Sequence, residues 1–233
     1  MKKSILSLIV AVCISAFSIA QETENVGPES YKLLKFDALN LMGIGVQKLH
    51  LGLELSPMIA NVNNLPTIQF NLTAPFNSLN NLDMNYGIEG GAELRFYQRR
   101  RNKKELAAEG FYMGVGLDGG YVNFSREEQY YSKWGSGINQ TATSDYGRTR
   151  TGIYFLSGAQ SKLGQKLYFD VNIGLGWSNV NVKETDTDLQ GNPEDFNKYA
   201  PDFNPFYILY EEGKYQRFYM PVSFGIGYNF GSK

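Results

Sequence analysis

The feature that most constrains this chain is an alternation of period two that recurs through most of its length. Lys166–Trp177 puts Leu167, Phe169, Val171, Ile173, Leu175 and Trp177 on one side of a strand. Tyr168, Asp170, Asn172, Gly174 and Gly176 fall on the other. The final run does the same, with Phe218, Met220, Val222, Phe224, Ile226, Tyr228 and Phe230 against Tyr219, Ser223, Gly225, Gly227 and Asn229. Side chains of successive strand residues point to opposite faces, so this pattern describes amphipathic strands and excludes a helical bundle.

Counting such runs predicts an all-β fold of eight antiparallel strands in up-and-down order. The first spans Tyr31–Val46, with a bulge expected near Asn40, and a tight turn at Gln47-Lys48 leads into Leu49–Ser56. The third, Ile68–Thr73, is expected to end at Pro75, which cannot donate to a ladder. The fourth is Met84–Gln98, with Met84, Tyr86, Ile88, Ala92, Leu94 and Phe96 on one face. The fifth starts at Phe111, and a polar loop is expected at 125–147. The sixth is Thr149–Ser161, the seventh Lys166–Trp177, and an acidic loop at 184–215 precedes the last.

Two faces remain to be assigned to inside and outside. The polar face is rich in Gly, Asn, Ser and Gln and poor in Lys, whereas a water-exposed sheet face normally carries many charges. Small polar groups suit the cramped interior of a closed eight-stranded sheet. The other face has aliphatic residues in mid-strand and aromatic ones toward the ends. Phe96, Phe111, Phe169 and Tyr228 fall toward one rim, and Tyr121, Trp177 and Phe218 toward the other, as in the aromatic girdles of a bilayer barrel. The expectation is a transmembrane β-barrel with its apolar face in lipid. A secreted soluble barrel with that face inward is the alternative.

Residues 1–20 read as a signal peptide: Lys2 and Lys3, an apolar stretch Ile5–Phe17, and the small-x-small site Ser18-Ile19-Ala20. The sole cysteine, Cys13, lies within it, so the mature chain is expected to have no disulfide. Residues 21–30 form a polar leader, and 31–233 the barrel. A net charge of −1 gives no reason to expect a nucleic-acid partner.

Taken with the signal segment, the stretches LNLMGIGVQKLHLGLE, YGIEGGAELRFY, LYFDVNIGLGW and terminal FGIGYNF resemble the small eight-stranded bacterial outer-membrane barrels of the OmpA/OmpX-like, porin-family group. The resemblance implies fold, an outer-membrane location, a monomer, and outer-membrane lipid and the barrel-assembly machinery as partners. No cofactor is expected, nor a peptidoglycan-binding domain after Lys233. Such barrels serve as structural proteins, adhesins, narrow pores and enzymes, so the task stays open.

Candidate chemistry is sparse. Lys35, Asp37, Glu54, Glu89, Glu93, Arg95, Asp118, Arg150, Asp170 and Arg217 are predicted on the inner face, as a ladder of ion pairs or the lining of a narrow conducting path. Gly114–Gly119 matches G-x-G-x-x-G but lies inside an alternating strand, without the helix a dinucleotide site needs. His50, the only histidine, would need a serine and an acid beside it to serve a lipid-directed enzyme, and Glu54 on its own strand is ~13 Å off. A non-enzymatic role is therefore expected. Asp186–Asn197 approximates a calcium loop but ends in Asn197 instead of a bidentate Glu. Arg99–Lys104 is a basic turn suited to solvent or lipid phosphate. Tyr130, Tyr131 and Trp134 in one loop, and Phe203–Tyr210 in the other, are the aromatic candidates for a surface partner.

Overall fold

A computed structural model describes residues 32–41, 46–56, 66–78, 82–98, 109–133, 139–163, 166–198 and 210–231. The signal segment, the leader, Arg99–Lys104, Trp134 and 203–209 lie outside the described residues. The fold is all-β, antiparallel and up-and-down, with ten strands where eight were expected. They are β1 (Lys32–Asp37), β2 (Val46–Leu55), β3 (Thr67–Ser78), β4 (Leu82–Tyr97), β5 (Gly110–Ser132), β6 (Asn139–Lys162), β7 (Leu167–Thr187), β8 (Phe196–Lys198), β9 (Gly213–Tyr219) and β10 (Val222–Asn229). A single α-helical turn, α1 (Ala38–Leu41), and one 3-10 turn (Pro193–Asp195) complete the described elements.

Each of β1 to β6 pairs with its successor, and β10 pairs with both β7 and β1. The ladder therefore runs round from β1 to β10 and back, and leaves these backbones no free edge along that stretch. The ring has eight positions, because β9 and β10 lie end to end along β7. The expected single last strand is broken at Met220-Pro221. Pro221 has no N–H to give, although its carbonyl still accepts from Gly174 N at 2.8 Å. The other extra strand, β8, pairs with Tyr130–Ser132 of β5.

Further expectations are corrected. The first run is cut short by α1, not bulged at Asn40: Asp37 Oδ1 accepts from Leu39 N at 2.9 Å and caps the turn. Gln47-Lys48 is not a turn but part of β2, with a bulge between the two residues. Pro75 does not end β3. It sits opposite Lys48 at that bulge, where a missing donor is tolerated. A second bulge between Met84 and Tyr86 reverses the alternation, so Met84 is buried while Tyr86 stays exposed.

The largest correction concerns the two expected loops. Ser125–Gly147 is mostly strand: β5 and β6 pair from Gly110↔Gln160 to Tyr131↔Asn139. Likewise β7 runs on to Thr187, so the 184–215 segment starts as ladder. Strands of 21 to 24 residues reach ~70–80 Å at about 3.3 Å per residue. They project as a ribbon well beyond one end of the ring.

The distribution of polarity changes along these strands. From Phe111 to Tyr121, Leu167 to Trp177 and Phe218 to Tyr228 the outward residues are apolar, and each span is eleven residues. Ile88, Leu117, Phe155, Leu175, Phe218 and Met220 are between 58 and 70% exposed. Inside this band lie Glu54, Arg95 and Asp170, all nearly inaccessible. Toward the ribbon the order reverses. Thr149, Thr151, Asn179 and Asn181 now face outward, and Leu82, Met84, Val122, Phe124, Tyr146, Val180, Val182 and Tyr210 form a buried apolar cluster inside.

Candidate functional site

The interior of the banded region is filled by charge and tyrosine. In the layer farther from the ribbon, Lys35 Nζ meets Glu54 at 2.6 Å and Asp170 at 2.5 Å. Arg95 meets Glu93 at 2.6 Å and Asp170 at 2.7 Å. Neutral donors complete the shells. Thr67 and Tyr97 donate to Glu54 at 2.5 and 2.8 Å, Tyr112 to Asp170 at 2.7 Å, and Asn71 and Tyr154 to Glu93 at 2.7 and 2.8 Å. Arg95 also lies over the Tyr112 ring, 4.7 Å from its centroid. Glycine makes room for these rings. A Cβ at Gly158 would fall 2.6 Å from the Tyr112 ring, and one at Gly116 or Gly176 would strike Tyr154 or Tyr219.

A second layer lies toward the ribbon. Glu89 is shared by Lys48 at 2.7 Å and Arg148 at 3.0 Å. Asp118 pairs with Arg150 and accepts from Tyr219 at 2.9 Å. Arg217 has no carboxylate partner among the described residues; it stacks over the Tyr215 ring at 5.2 Å. Asp37 joins neither layer, since its carboxylate caps α1 and accepts from Phe224 N at 3.4 Å.

The girdle candidates lie on the outward face. Phe169 packs edge-on against Phe224 (4.7 Å), Trp177 against Phe218 (4.4 Å), and Tyr121 lies 6.1 Å from Tyr86. Phe96, Phe111 and Tyr228 are exposed at the end opposite the ribbon.

Sequence reasoning missed Lys48, Arg148 and the tyrosine shells. Arg148 shares the parity of Arg150, but it falls between the loop expected at 125–147 and the strand expected from Thr149. Lys48 was hidden by the presumed turn. Tyr112 and Tyr154 carry no signal that separates a buried ligand of a carboxylate from an ordinary strand tyrosine.

A third polar cluster ties the ribbon together. Lys198 on β8 reaches Glu128 at 2.6 Å, Glu184 at 3.0 Å and Glu212 at 3.4 Å, and donates to the Tyr146 hydroxyl. Arg126 pairs with Glu128 and stacks over Tyr146 at 4.9 Å. Burial alone would discharge Lys198, but the hydrogen bonds to Glu128, Tyr146 and Glu184 outweigh it and hold the ammonium well above its ordinary pKa. Burial likewise opposes ionised Glu128, and the bonds from Lys198 and Tyr146 with the Arg126 charge hold it below the usual range.

The minor motifs resolve simply. Gly114–Gly119 is mid-strand in β5. His50 Nδ1 is 2.8 Å from Thr73 Oγ1. In the acidic segment, Asp188 accepts from Thr143 N at 2.6 Å, and among the described residues no group of three His, Cys, Asp or Glu is arranged to hold a metal. Comparison with family models, with curated proteins and with solved structures finds no match to this chain.

Proposed function

We propose that this chain is a transmembrane β-barrel of a bacterial outer membrane, of the OmpA/OmpX-like kind, with a non-enzymatic structural or surface-interaction role. The observation that carries the reading is the inversion of polarity along single strands. Apolar-out and polar-in holds for eleven residues, and polar-out and apolar-in holds beyond. Nine to eleven tilted residues cross a bilayer's hydrocarbon layer. Water on both sides of the whole sheet would give no reason for the switch. Ring closure fits the same reading, because an unpaired strand edge in lipid would cost several kcal/mol per orphaned group.

The ion-paired interior favours a closed barrel over a narrow pore. Lys35, Arg95 and the tyrosines occupy the bore, and eight ring positions leave little beyond side-chain room. The ribbon is the part offered to a surface partner; of its expected aromatic contacts Tyr131 is exposed, whereas Tyr130 and Tyr210 are buried within it. The reading is tested by gel mobility of the membrane fraction, boiled and unboiled. A folded barrel migrates anomalously until heated. A protein found soluble in the periplasm or medium, with one mobility, would overturn it.

A further inference from the structure

Three strands set out a polar grid on the outward face, just beyond the apolar band. The register aligns Thr149, Asn181 and Lys214 in one row, and Thr151, Asn179 and Gln216 in the next. The row after that is Ile153, Trp177 and Phe218, the rim of the band. With strands about 4.8 Å apart and a same-face repeat of about 6.6 Å, the grid measures roughly 10 Å by 7 Å. An open cavity of about 450 Å³ is bordered by all six residues. Tyr121 walls it on the β5 side: it shares the row of Thr149, and its hydroxyl reaches over Gly147, where a Cβ would fall 2.8 Å away. Trp177, edge-on against Phe218 at 4.4 Å, lies along the opposite border.

The chain itself makes little use of these groups. Among the described residues, Asn179, Lys214 and Gln216 have no side-chain hydrogen bond or ion pair, and Thr149 has only a long one, 3.4 Å to the Asn181 carbonyl. Asn181 Oδ1 is shut off from solvent without a partner. An amide with one orphaned end gains from a ligand that carries both donors and acceptors. Charge on this face is one-sided. Lys183, two residues beyond Asn181 on β7, is exposed and has no carboxylate partner among the described residues. None of the six grid positions is acidic. The nearest acids along the strands are engaged elsewhere: Glu212 lies 3.4 Å from Lys198, and Asp145 accepts from Ser125 at 2.5 Å.

We infer that this face of β6, β7 and β9 holds the headgroup of a phosphorylated glycolipid. Lys183 and Lys214 meet phosphate, Asn179, Asn181 and Gln216 meet sugar hydroxyls, and the acyl chains run down past Trp177 and Phe218. The site rests on the membrane reading above and names the lipid that the rim of the band takes. Charge complementarity and continuity with the apolar band place a lipid there. The unpaired amides select a sugar, because a plain phospholipid would use the lysines and leave the amides idle.

The test uses the folded protein in a neutral detergent. Lipid A, an acylated disaccharide phosphate, is titrated in and bound lipid is counted by native mass spectrometry, with phosphatidylglycerol run beside it. The protein retains one lipid A and binds phosphatidylglycerol at least tenfold more weakly. Lys214→Gln weakens lipid A about tenfold, the loss of one hydrogen bond to a charged group. Asn179→Leu keeps both lysines, so it weakens lipid A and leaves phosphatidylglycerol as it was. Lys166→Gln, at an exposed lysine near Tyr228 on the opposite rim, changes neither. All three positions are exposed, and each variant is checked for the heat-dependent gel shift of the native barrel. A heat-shifting protein that binds the two lipids equally, or binds lipid A equally in every variant, overturns the headgroup site and leaves the barrel standing. A protein soluble without detergent, with one mobility, overturns the barrel and the site with it.

Discussion

The banded half of the sheet and the ribbon half are built from the same strands yet keep opposite company. On β5, Leu117 is 61% exposed and Asp118 is turned in, while further along Phe124 is fully buried and Glu127 is exposed. Adjacent rows on β6, β7 and β9 mark the change: Ile153, Trp177 and Phe218 in one, Thr151, Asn179 and Gln216 in the next. The ladders between β6, β7 and β9 continue unbroken across that line. On the function proposed above, what alters is the medium each face must satisfy. In water, burial of apolar groups drives folding. Where the surroundings are apolar, the interior is instead held by ion pairs and hydrogen bonds, which must then be complete.

The comparison is broken most directly from inside the band. Asp170→Asn leaves Lys35 and Arg95 short of the carboxylate they share and costs about 3–5 kcal/mol, the usual penalty for stranding a buried charge. It should appear as a lower urea midpoint for the whole sheet. Replacing the ribbon contact Lys198–Glu212 by Glu212→Gln should leave that midpoint within a few tenths of a kcal/mol, because Glu212 is largely solvated. Equal effects would mean that the two halves do not differ in how charge is held.

The outward face sharpens it further. Ile173→Arg, in the band, should cost about 2–4 kcal/mol for folding into lipid vesicles, and Asn179→Arg, beyond it, about 0–1. The measurement is a pair of denaturant titrations in vesicles. If Ile173→Arg were harmless, the apolar band would not face lipid.

How much of this was legible depends on which force sets each feature. The period-two signal located most strands, because burial acts residue by residue and leaves its mark in the sequence. Glu54, Glu93, Arg95 and Asp170 could be listed from parity alone. Their shared contacts could not, since Lys35 and Asp170 lie on strands 135 residues apart and meet only through the ring. Bulges were the weak point. The extra residue at Asn85 exchanges the faces of Met84 and Tyr86, although the sequence there alternates without a break. The ribbon was hidden for a different reason. Ser125–Ser132 and Asn139–Arg148 are polar enough to read as loop, and their strand form is fixed by pairing with each other and with β7 and β8. Alternation of Val122 and Phe124 with Asn123, and of Val180 and Val182 with Asn181, was the signal that the strands continued. That signal is masked because the apolar parity is the inward one there.

The smallest expected effect tests whether the ribbon is fastened by the Lys198 cluster. Glu128 has a folded pKa below its ordinary 4.5, so its contribution is present above that value and disappears as pH falls through the depressed folded value. Lys198 has a folded pKa above its ordinary 10.5, so its contribution is complete below that value and is lost only as pH rises beyond it. The tie therefore has a plateau between about pH 4.5 and 10.5 and weakens at the acid end first. Hydrogen exchange of β8 and the adjoining part of β5 should follow this profile, faster at pH 3 than at pH 7 after correction for intrinsic rates. In Lys198→Met the acid dependence flattens, and the local opening energy at neutral pH drops by about 1 kcal/mol, the scale of a partly exposed ion pair. Exchange within β10 and β1 should stay as it was, because those strands are held by the closed ring and the inner layers. An acid-sensitive ring with an unchanged ribbon would reverse the assignment, and would place the weak point in the carboxylates of the band.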